Sequence, residues 1–509
     1  MSLNLLGRYG LLLSVTTAFP LLSFALDLPN LPASPIIPSR TVALNAPDNG
    51  VTDATAAINK AMAALSNEGG GTLEFAAGTY LVKVNPRAND YILQLQSKVR
   101  LQGAADGKTI IKVANDQSPY NTILGTGWSV SDVDIENITF DLNGENNPIT
   151  SAENKALGAK AAIRVDAGPR TKVANCTFIN IDDVNTLIFS GTTATDVEVY
   201  NNNFTAGMPA GFYDFDHSTI YSHAVRMWIH YNTFTAKDGP GTPVARCAIE
   251  THGDDQTVGH NTINGYSIAM NITGQATSSN RQVYRYNLIE NTLNGIEIWS
   301  QHFAGQGTYG MENITIEYNT INLDPFGWRR TGSVYPNQPS MGIFLTCNPI
   351  QPVPIDGLAI TNNTITFPTG GTPEWGDTYS GGVILWTYNG LVIPISNLTV
   401  SSNIIKNALG PAIWTNVPLE HGSVITSNTI ENPSRSSSAD QHTGIYVSDI
   451  TEDFQIQDNA VSDSAKVPMI ASGIDAVSSC RSSCTVTGNA VTPKSVKAVV
   501  GGSGWVVSK

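Results

Sequence analysis

The chain has 509 residues, of which 41% are hydrophobic and 14% are charged, and its formal net charge is −14 at neutral pH. This composition, with 45 glycines, is that of a large ordered body with many turns and excludes a disordered chain. The acidity disfavours nucleic acids and anionic membranes as partners, because both bind through a basic surface. It also mildly disfavours a polyanionic substrate unless a basic groove compensates locally.

Residues 1–25 have the pattern of a signal peptide. Arg8 precedes an apolar run over residues 9–25, and residues 23–25 have the small-x-small spacing of a cleavage site. A membrane anchor is the alternative, but the run is short, is interrupted by Pro20 and is not followed by a second apolar segment. The sequence therefore predicts a secreted protein whose mature chain begins near Leu26.

Residues 26–44 are predicted to be a proline-rich tether, and residues 45–509 a single domain, which the repeat described below assigns to a parallel β-helix. The tether carries Pro29, Pro32, Pro35 and Pro38. This spacing favours an extended segment and excludes a helix.

The segment from Asn49 to Val82 predicts a helix followed by a strand. It reads NGVTDATAAINKAMAALSNEGGGTLEFAAGTYLV, in which an amphipathic helix begins near Asp53 and ends before a glycine turn. The segment resembles the N-terminal cap of the pectate-lyase-like superfamily of β-helix proteins. The resemblance implies that the helix covers the open edge of the first coil. Polysaccharide lyases, glycoside hydrolases, uronan epimerases and phage tailspikes share this opening, so the resemblance indicates a fold and not a reaction.

An asparagine recurs about every thirty residues in the frame apolar-x-x-Asn-x-apolar. The predicted members are Asn202, Asn232, Asn261, Asn291, Asn319, Asn363, Asn403, Asn428, Asn459 and Asn489. Each unit also contains short runs rich in Val, Ile and Thr rather than a helical pattern. The sequence therefore predicts a right-handed parallel β-helix from about residue 130 to 495. Asparagine suits its turn because it tolerates a left-handed backbone and can form a ladder of stacked amides.

Two coils are longer than the others, with insertions at residues 325–339 and 368–379, where Pro and Gly accumulate. We expect both insertions to be loops. Each insertion carries one tryptophan, and we expect these two side chains to wall a groove beside Trp299 and Trp386. The tryptophans of the insertions are Trp328 and Trp375.

Polar side chains concentrate on one predicted strand of each coil. When the strands are aligned on their Gly/Ala-Ile signature, equivalent residues form columns with a spacing of about 4.8 Å. This alignment places the small Ala269 between Glu250 and Glu297. The candidate catalytic residues of these columns are Glu250, Glu297, His223, His252 and Tyr221. The candidate substrate-binding residues are Arg164, Asp166, Asn271, Trp299, Trp386 and Trp414.

Glu250 and Glu297 are the candidate acid–base pair of a glycosidase. Two coils separate their backbones by about 10 Å, so the carboxyl groups can approach the roughly 6.5–9.5 Å that admits a water molecule in an inverting enzyme. The nearby His223, His252 and Tyr221 would set the protonation of the pair. The alternative is that these are solvated surface residues, which is the commoner role of an isolated outward glutamate.

A second interpretation comes from residues 213–217, which read Tyr-Asp-Phe-Asp-His. They are similar to the Tyr-Gly-Phe-Asp-Pro-His motif of mannuronan C5-epimerases, but the proline is missing. Lyases and epimerases remove the C5 proton of a uronate with a base, while a positive group or a metal neutralises the carboxylate. In this chain Arg164 together with Tyr221 or His223 are the candidates for these roles.

The cysteines and acidic pairs indicate no cofactor. Cys480 and Cys484 are close enough in sequence to form a disulfide. The remaining cysteines are expected in the core, and they are Cys176, Cys247 and Cys347. Zinc-site and EF-hand spacings are missing from the sequence, and we predict neither a metal nor a cofactor.

Three classes of function remain open. The first is a secreted glycoside hydrolase, the second a polysaccharide lyase or C5-epimerase acting on uronate chains, and the third a non-catalytic glycan-binding protein. The packing of Glu, His and Tyr opposes the third class, and the acidity and the glutamate pair favour the first over the second. The expected partner is a polysaccharide or oligosaccharide, with no nucleic acid and, after signal cleavage, no membrane.

Overall fold

The computed structural model describes residues 29–84, 91–118, 120, 122–148, 160–182, 185–191, 193–206, 218–236, 247–274, 278–300, 310–328, 338–346, 353–370, 375–387, 392–439, 441–449 and 451–508. Within these residues three parallel sheets of 18, 15 and 14 strands wind around one core. A typical coil contributes one strand to sheet A, the next to sheet B and the third to sheet C. This is the predicted right-handed parallel β-helix.

The strands of sheet A are Thr41–Ala43, Gly71–Glu74, Val99–Gln102, Val133–Glu136, Gly168–Ala174, Ala194–Tyr200, Val225–His230, Gln256–Gly259, Gln282–Arg285, Met311–Glu317, Ile355–Thr361, Ile395–Ser396, Thr399–Ser401, Leu419–Glu420, Ser423–Thr426, Phe454–Gln457, Cys484–Thr487 and Trp505–Val507. The strands of sheet B are Asn49–Asp53, Gly78–Val82, Thr109–Val113, Thr139–Asp141, Thr177–Ile181, Asn203–Ala206, Thr233–Ala236, Thr262–Asn264, Leu288–Thr292, Thr320–Leu323, Thr364–Thr366, Ile404–Lys406, Thr429–Glu431, Ala460–Ser462 and Ala490–Thr492. The strands of sheet C are Tyr91–Gln94, Thr122–Thr126, Ala161–Val165, Asn185–Phe189, Ser218–Ser222, Cys247–Thr251, Ile268–Thr273, Asn294–Trp299, Met341–Thr346, Gly381–Leu385, Ile413–Thr415, Thr443–Val447, Ser472–Ala476 and Lys497–Gly501.

The core is built from columns of similar side chains. In sheet B the rings of Phe140, Phe178, Phe204 and Phe234 stack with centroid separations of 5.3, 4.7 and 4.8 Å. All four rings are buried. Because equivalent residues of paired strands lie about 4.8 Å apart, a residue type that repeats once per coil packs on its own copies.

A helix over Thr55–Asn67 caps the first coil, as predicted. Asp53 Oδ1 accepts hydrogen bonds from the Thr55 backbone N–H at 2.9 Å and from the Thr55 hydroxyl at 2.6 Å. The buried side chains of the helix join the core cluster of the first coils, so the end of the core is shielded from water. Shorter helical segments are Gly144–Asn146, Pro325–Trp328 and Trp375–Tyr379.

The β-helix extends at both ends beyond residues 130–495, the limits that the asparagine repeat predicts. Its first strand, Thr41–Ala43, pairs with the strand that begins at Gly71 and lies inside the predicted tether. At the other end Cys484 pairs with Trp505, beyond the predicted limit of residue 495. The repeat does not mark the first coils because they lack the recurrent asparagine, and only the resemblance of residues 49–82 indicates them. The predicted disulfide between Cys480 and Cys484 is present.

The asparagine ladder is present, with one change of member. Asn232 is typical: its Oδ1 accepts from the backbone N–H and the side-chain amide of Asn202, both at 3.0 Å, and its Nδ2 donates to the Val199 carbonyl at 2.9 Å. The next positions are Asn261 and then Asn287, not the predicted Asn291. Within the described residues the ladder consists of Asn202, Asn232, Asn261, Asn287, Asn319, Asn363, Asn403, Asn428, Asn459 and the half-buried Asn489, and the members before Asn489 are all buried.

The left-handed backbone of this turn belongs to the residue before each ladder asparagine. Tyr231, Tyr286 and Tyr318 have φ values of 54°, 56° and 53°. The expectation that the asparagine itself takes the left-handed conformation is therefore wrong, and asparagine is used here for its hydrogen bonds. Asn291 lies on the exposed surface, where its amide donates to Asn264 Oδ1 at 3.1 Å.

The two insertions differ in their relation to the groove. Pro325–Trp328 is a short helix, and the fully buried Trp328 donates from Nε1 to the Asn291 carbonyl at 2.9 Å, so its predicted place in the groove wall is wrong. The second insertion contains Trp375–Tyr379, and its Tyr379 ring stacks on Trp386 at 4.8 Å. The side chain of Trp375 lies outside the described residues.

Along the described part of the chain, no helix has the length and apolar character needed to span a bilayer. The predicted signal peptide lies outside the described residues.

We predict that Asn287→Ala destabilises the protein by about 3 kcal/mol or more. The substitution leaves buried donors and acceptors of Asn261, Asn319 and Val258 without their hydrogen-bond partner. The matched control is Asn291→Ala, an exposed position whose left-handed φ of 54° disfavours alanine, so the change should cost only about 1 kcal/mol. Denaturant and thermal unfolding measure both. Equal effects of the two substitutions would contradict the ladder assignment.

Candidate active site on sheet C

The outward face of sheet C carries one continuous column of side chains, and strand pairing defines its order. The column reads Arg164, Ile188, Tyr221, Glu250, Asn271, Glu297, Phe344, Ile384, Trp414, Tyr446 and Asp475. Asn271, rather than Ala269, therefore stands between Glu250 and Glu297, and Ala269 is buried.

The error in the predicted alignment has a physical cause. The inward position that isoleucine occupies in most coils is held by Leu187, Met270 and Val383 in three strands of sheet C. All three side chains are fully buried. Aligning those strands on isoleucine shifted their outward residues by one or two positions, and it moved Asn271 into the wrong column.

Glu250 and His252 form the buried part of the site. The Glu250 carboxylate is 3% exposed, accepts a hydrogen bond from Ser218 Oγ at 2.5 Å and lies 2.9 Å from His252 Nε2. The His252 ring is fully buried. The two residues project from the same side of one strand, two positions apart, so the predicted proximity of Glu250 and His252 is confirmed.

Tyr221 and His223 form the more open part of the site on the neighbouring coil. The Tyr221 hydroxyl lies 2.8 Å from His223 Nε2, and both side chains are half-buried. The His223 ring stacks on His252 with a centroid separation of 4.2 Å and an angle of 8°. Burial, and next the neighbouring His252, lower the pKa of His223 to about 3, although Glu250 acts in the opposite direction. His223 is therefore a neutral hydrogen-bonding group at neutral pH.

Asn271 and Glu297 continue the column above Glu250. Glu297 Oε1 accepts a hydrogen bond from Thr346 Oγ1 at 2.7 Å, and Asn271 Oδ1 accepts one from Thr273 Oγ1 at 3.1 Å. Asn271 and Glu297 are 3% and 6% exposed. The side chain of Asn271 lies between the two glutamates, at the position where the sequence alignment placed Ala269.

Arg164 and Asp166 lie together at the N-terminal end of the column. Arg164 Nε donates to Asp166 Oδ1 at 2.6 Å, and the same carboxylate accepts hydrogen bonds from Ser190 and, at 3.3 Å, from Tyr91. Both charged side chains are half-buried. Ile188 separates Arg164 from Tyr221, so Arg164 lies two strands away, about 10 Å along the sheet.

Aromatic side chains occupy the column beyond Glu297. Tyr379, Trp386 and Trp414 form a cluster in which the Trp386 ring centroid lies 4.8 Å from Tyr379 and 6.2 Å from Trp414, and Tyr446 meets Trp414 edge-on at 5.9 Å. Trp414 is only 5% exposed. The half-buried Trp386 and Trp299 remain available for contact with a sugar ring.

Sequence reasoning missed three groups that shape the site. Ser218 and Thr346 hold the two glutamates, and Tyr379 extends the aromatic cluster. Hydroxyl residues are common on these strands, and nothing in the sequence distinguished Ser218 or Thr346 from the others. The epimerase-like segment 213–217 lies outside the described residues.

Comparison with known sequences adds a family relationship over part of the chain. A family model described as "Rhamnogalacturonase A/epimerase, pectate lyase-like" matches residues 42–224. Mannuronan C5-epimerase AlgE2 of Azotobacter vinelandii is 35% identical over 101 residues, which cover 19% of this chain and 10% of that protein. Alginate lyase 7 of the same organism is 34% identical over 101 residues, 19% of this chain and 12% of the lyase. The match thus spans about a tenth of the length of these relatives.

Comparison with solved structures covers most of the chain. The tailspike protein of E. coli bacteriophage HK620, in complex with a pentasaccharide, superposes with a TM-score of 0.58 over 87% of this chain and 75% of the tailspike at 14% identity. A mutant of that tailspike reaches a TM-score of 0.64. The fold defines a right-handed parallel β-helix protein with a polar site on one sheet. More particularly, residues 42–224 are similar to the pectate-lyase-like family that this model describes.

We predict that the His223 ring remains neutral from pH 8 down to about pH 4, because its pKa in the folded protein is about 3. An unfolded histidine takes up a proton below about pH 6.5, so His223 favours the unfolded state increasingly as pH falls from about 6.5 towards 3. An NMR titration of the imidazole resonances, assigned with His223→Gln, measures this directly. A ring that became charged near pH 6 would show that the buried environment described above is wrong.

Proposed function

We propose that the protein is a carbohydrate-active enzyme that removes the C5 proton of a uronate residue, as a polysaccharide lyase or a C5-epimerase. The observation that supports this most is the Tyr221 hydroxyl 2.8 Å from His223 Nε2 in the more open part of the site. Glu250, Asn271 and Glu297 are each nearly buried, whereas Tyr221 and His223 are partly accessible to a polymer lying on the sheet.

The Tyr221–His223 pair can supply both proton transfers of a β-elimination. A uronate beside His223 raises the pKa of the imidazole, because the negative charge favours the protonated ring. His223 Nε2 then takes the C5 proton, the C5 electron pair forms the C4–C5 double bond, and the bond from C4 to the glycosidic oxygen breaks as Tyr221 protonates that oxygen. The proton returns from His223 to Tyr221 through their hydrogen bond. Epimerisation requires that a group on the opposite face of C5 returns the proton, and Tyr221, hydrogen-bonded to His223, lies on the same face as the base, so this pair favours the lyase reaction.

The neighbouring residues have supporting roles in this proposal. Arg164 and Asn271 lie on the same face on opposite sides of Tyr221, each two strands away, and they would bind the carboxylates or hydroxyls of adjacent sugar residues. Ser218 donates a hydrogen bond to Glu250, and Glu250 lies within hydrogen-bond distance of His252. These contacts fix the His252 ring, on which the His223 ring stacks. Trp299 and Trp386 would bind sugar rings further along the sheet.

The partial relatives favour uronate chemistry, since they are named as mannuronan C5-epimerases and an alginate lyase. The tailspike with a bound pentasaccharide is consistent with an oligosaccharide lying along this type of fold. The export-signal pattern of residues 1–25 supports the further proposal that the enzyme acts outside the cell.

Hydrolysis by Glu250 and Glu297 is the second candidate. Their separation of two strands, about 10 Å between backbones, favours it. The Asn271 side chain between them weakens it, because that position was expected to leave room for the attacking water.

We predict that digestion of alginate or pectate produces the ultraviolet absorbance of an unsaturated uronate, or, for an epimerase, incorporates deuterium at C5 in D₂O. Tyr221→Phe should lower turnover by about 10²–10⁴-fold, because it removes the proton donor while keeping the ring. Tyr446→Phe, the same change in the same column far from His223, is the control and should retain activity.

The outcome that contradicts this proposal is the appearance of new reducing ends without unsaturated product or C5 exchange, with Glu250→Gln and Glu297→Gln most damaging. That result would establish hydrolysis. Binding of the polymers without any product over a broad panel would favour a glycan-binding protein.

A further inference from the structure

The turn from sheet C to sheet A carries alternating acidic and basic residues. One residue of each coil has a left-handed backbone here, and along six successive coils these residues are Asp132, Arg170, Asp196, Arg226, Asp255 and Arg281. Each arginine donates two hydrogen bonds to the aspartate of the preceding coil, at 2.6 and 3.0, 2.9 and 3.0, and 2.7 and 3.0 Å in chain order. An aspartate therefore recurs at every second coil.

The proline-rich N-terminal segment lies along these aspartates. Its backbone N–H groups donate to the aspartate Oδ1 atoms: Ile36 to Asp132 at 2.9 Å, Ala33 to Asp196 at 3.1 Å and Asn30 to Asp255 at 3.4 Å. The three donors are exposed residues, and each directly follows a proline that is half-buried. These prolines are Pro29, Pro32 and Pro35. The segment is extended, as its prolines predict, but it is docked on the β-helix.

The periods of the two partners match. A polyproline II helix has three residues per turn and rises about 3.1 Å per residue, so equivalent residues recur every 9.3 Å or so. Two coils of the β-helix rise about 9.6 Å. A proline at every third position thus presents one N–H to each aspartate in the column.

We propose that residues 29–36 form an intramolecular polyproline II strap, recognised through its backbone by the aspartates at every second coil. The three aspartates follow the sheet C strands Thr122–Thr126, Asn185–Phe189 and Cys247–Thr251, so the strap spans the coils that carry Arg164, Tyr221 and Glu250 and holds their spacing. The ion pairs keep the aspartate acceptors of the strap ionised. Arg170 lowers the pKa of Asp132 and Arg226 lowers the pKa of Asp196, and the N–H groups of the strap act in the same direction.

Residue-resolved hydrogen exchange on the full chain tests the strap. The amides of Asn30, Ala33 and Ile36 should exchange about tenfold more slowly than those of Leu31, Ser34 and Ile37, the factor expected for one hydrogen bond. Exchange of all six amides at the rate of an unstructured peptide would overturn the proposal.

Two substitutions separate the strap contact from the ion pair beneath it. Asp196→Ala and Arg226→Ala both break the Asp196–Arg226 pair, but only the first removes the acceptor for Ala33. We expect Asp196→Ala to abolish protection at Ala33 and Arg226→Ala to retain it. Equal loss in both variants would show that the segment has no direct bond to the carboxylate.

Proline substitutions test the contribution to stability. Pro32→Gly with Pro35→Gly should lower the thermal midpoint, because glycine loosens the polyproline conformation that spaces the donors. Pro38→Gly makes the same chemical change at an exposed proline of the same segment and should lower it less. If the thermal midpoint fell by the same amount per substituted proline in both variants, the result would argue against a strap whose period matches that of the aspartates.

Discussion

Parallel backbone pairing between successive coils is the constraint on which the rest of this structure depends. It sets a spacing of about 4.8 Å between equivalent residues, so that any residue repeated once per coil contacts its own copies. The buried asparagine ladder and the phenylalanine stack both follow from it. Since side chains alternate between the faces of a strand, the pairing also decides which residues point outward together.

Burial divides the candidate site into a buried part and a more open part. Glu250 and His252 are nearly or fully buried and hold each other, and Ser218 fixes the carboxylate from the neighbouring strand. Tyr221 and His223 lie one coil away and are only half-buried, which makes them the more accessible groups in the proposed reaction. In this buried, low-dielectric environment a polar group stays with its hydrogen-bond partner, because separation from it costs free energy. Polar groups fixed in this way are what the proposed proton transfer requires.

The site and the strap occupy the same coils. The strands that present Arg164, Tyr221 and Glu250 lead directly into the turns with the aspartate–arginine column, and the N-terminal segment lies on those turns. Further along the helix the outward face of sheet C becomes aromatic around Trp386. The aspartate–arginine column thus lies on the coils that carry the polar site, whereas the asparagine ladder continues along the coils beyond.

The sequence by itself determined the β-helix, its capping helix, the disulfide of the last coil and the grouping of Tyr221, His223, Glu250 and His252. These follow from local patterns, since the four site residues lie at matching positions on two adjacent strands with isoleucine inside. Only the tertiary structure decided that Asn271 separates the glutamates, that Asn287 joins the ladder and that Trp328 is buried. Leu, Met and Val fill an inward position as well as isoleucine does, so composition leaves the register open. Hydrogen bonds between coils about thirty residues apart select it, and the docking of residues 29–36 depends on that same non-local register.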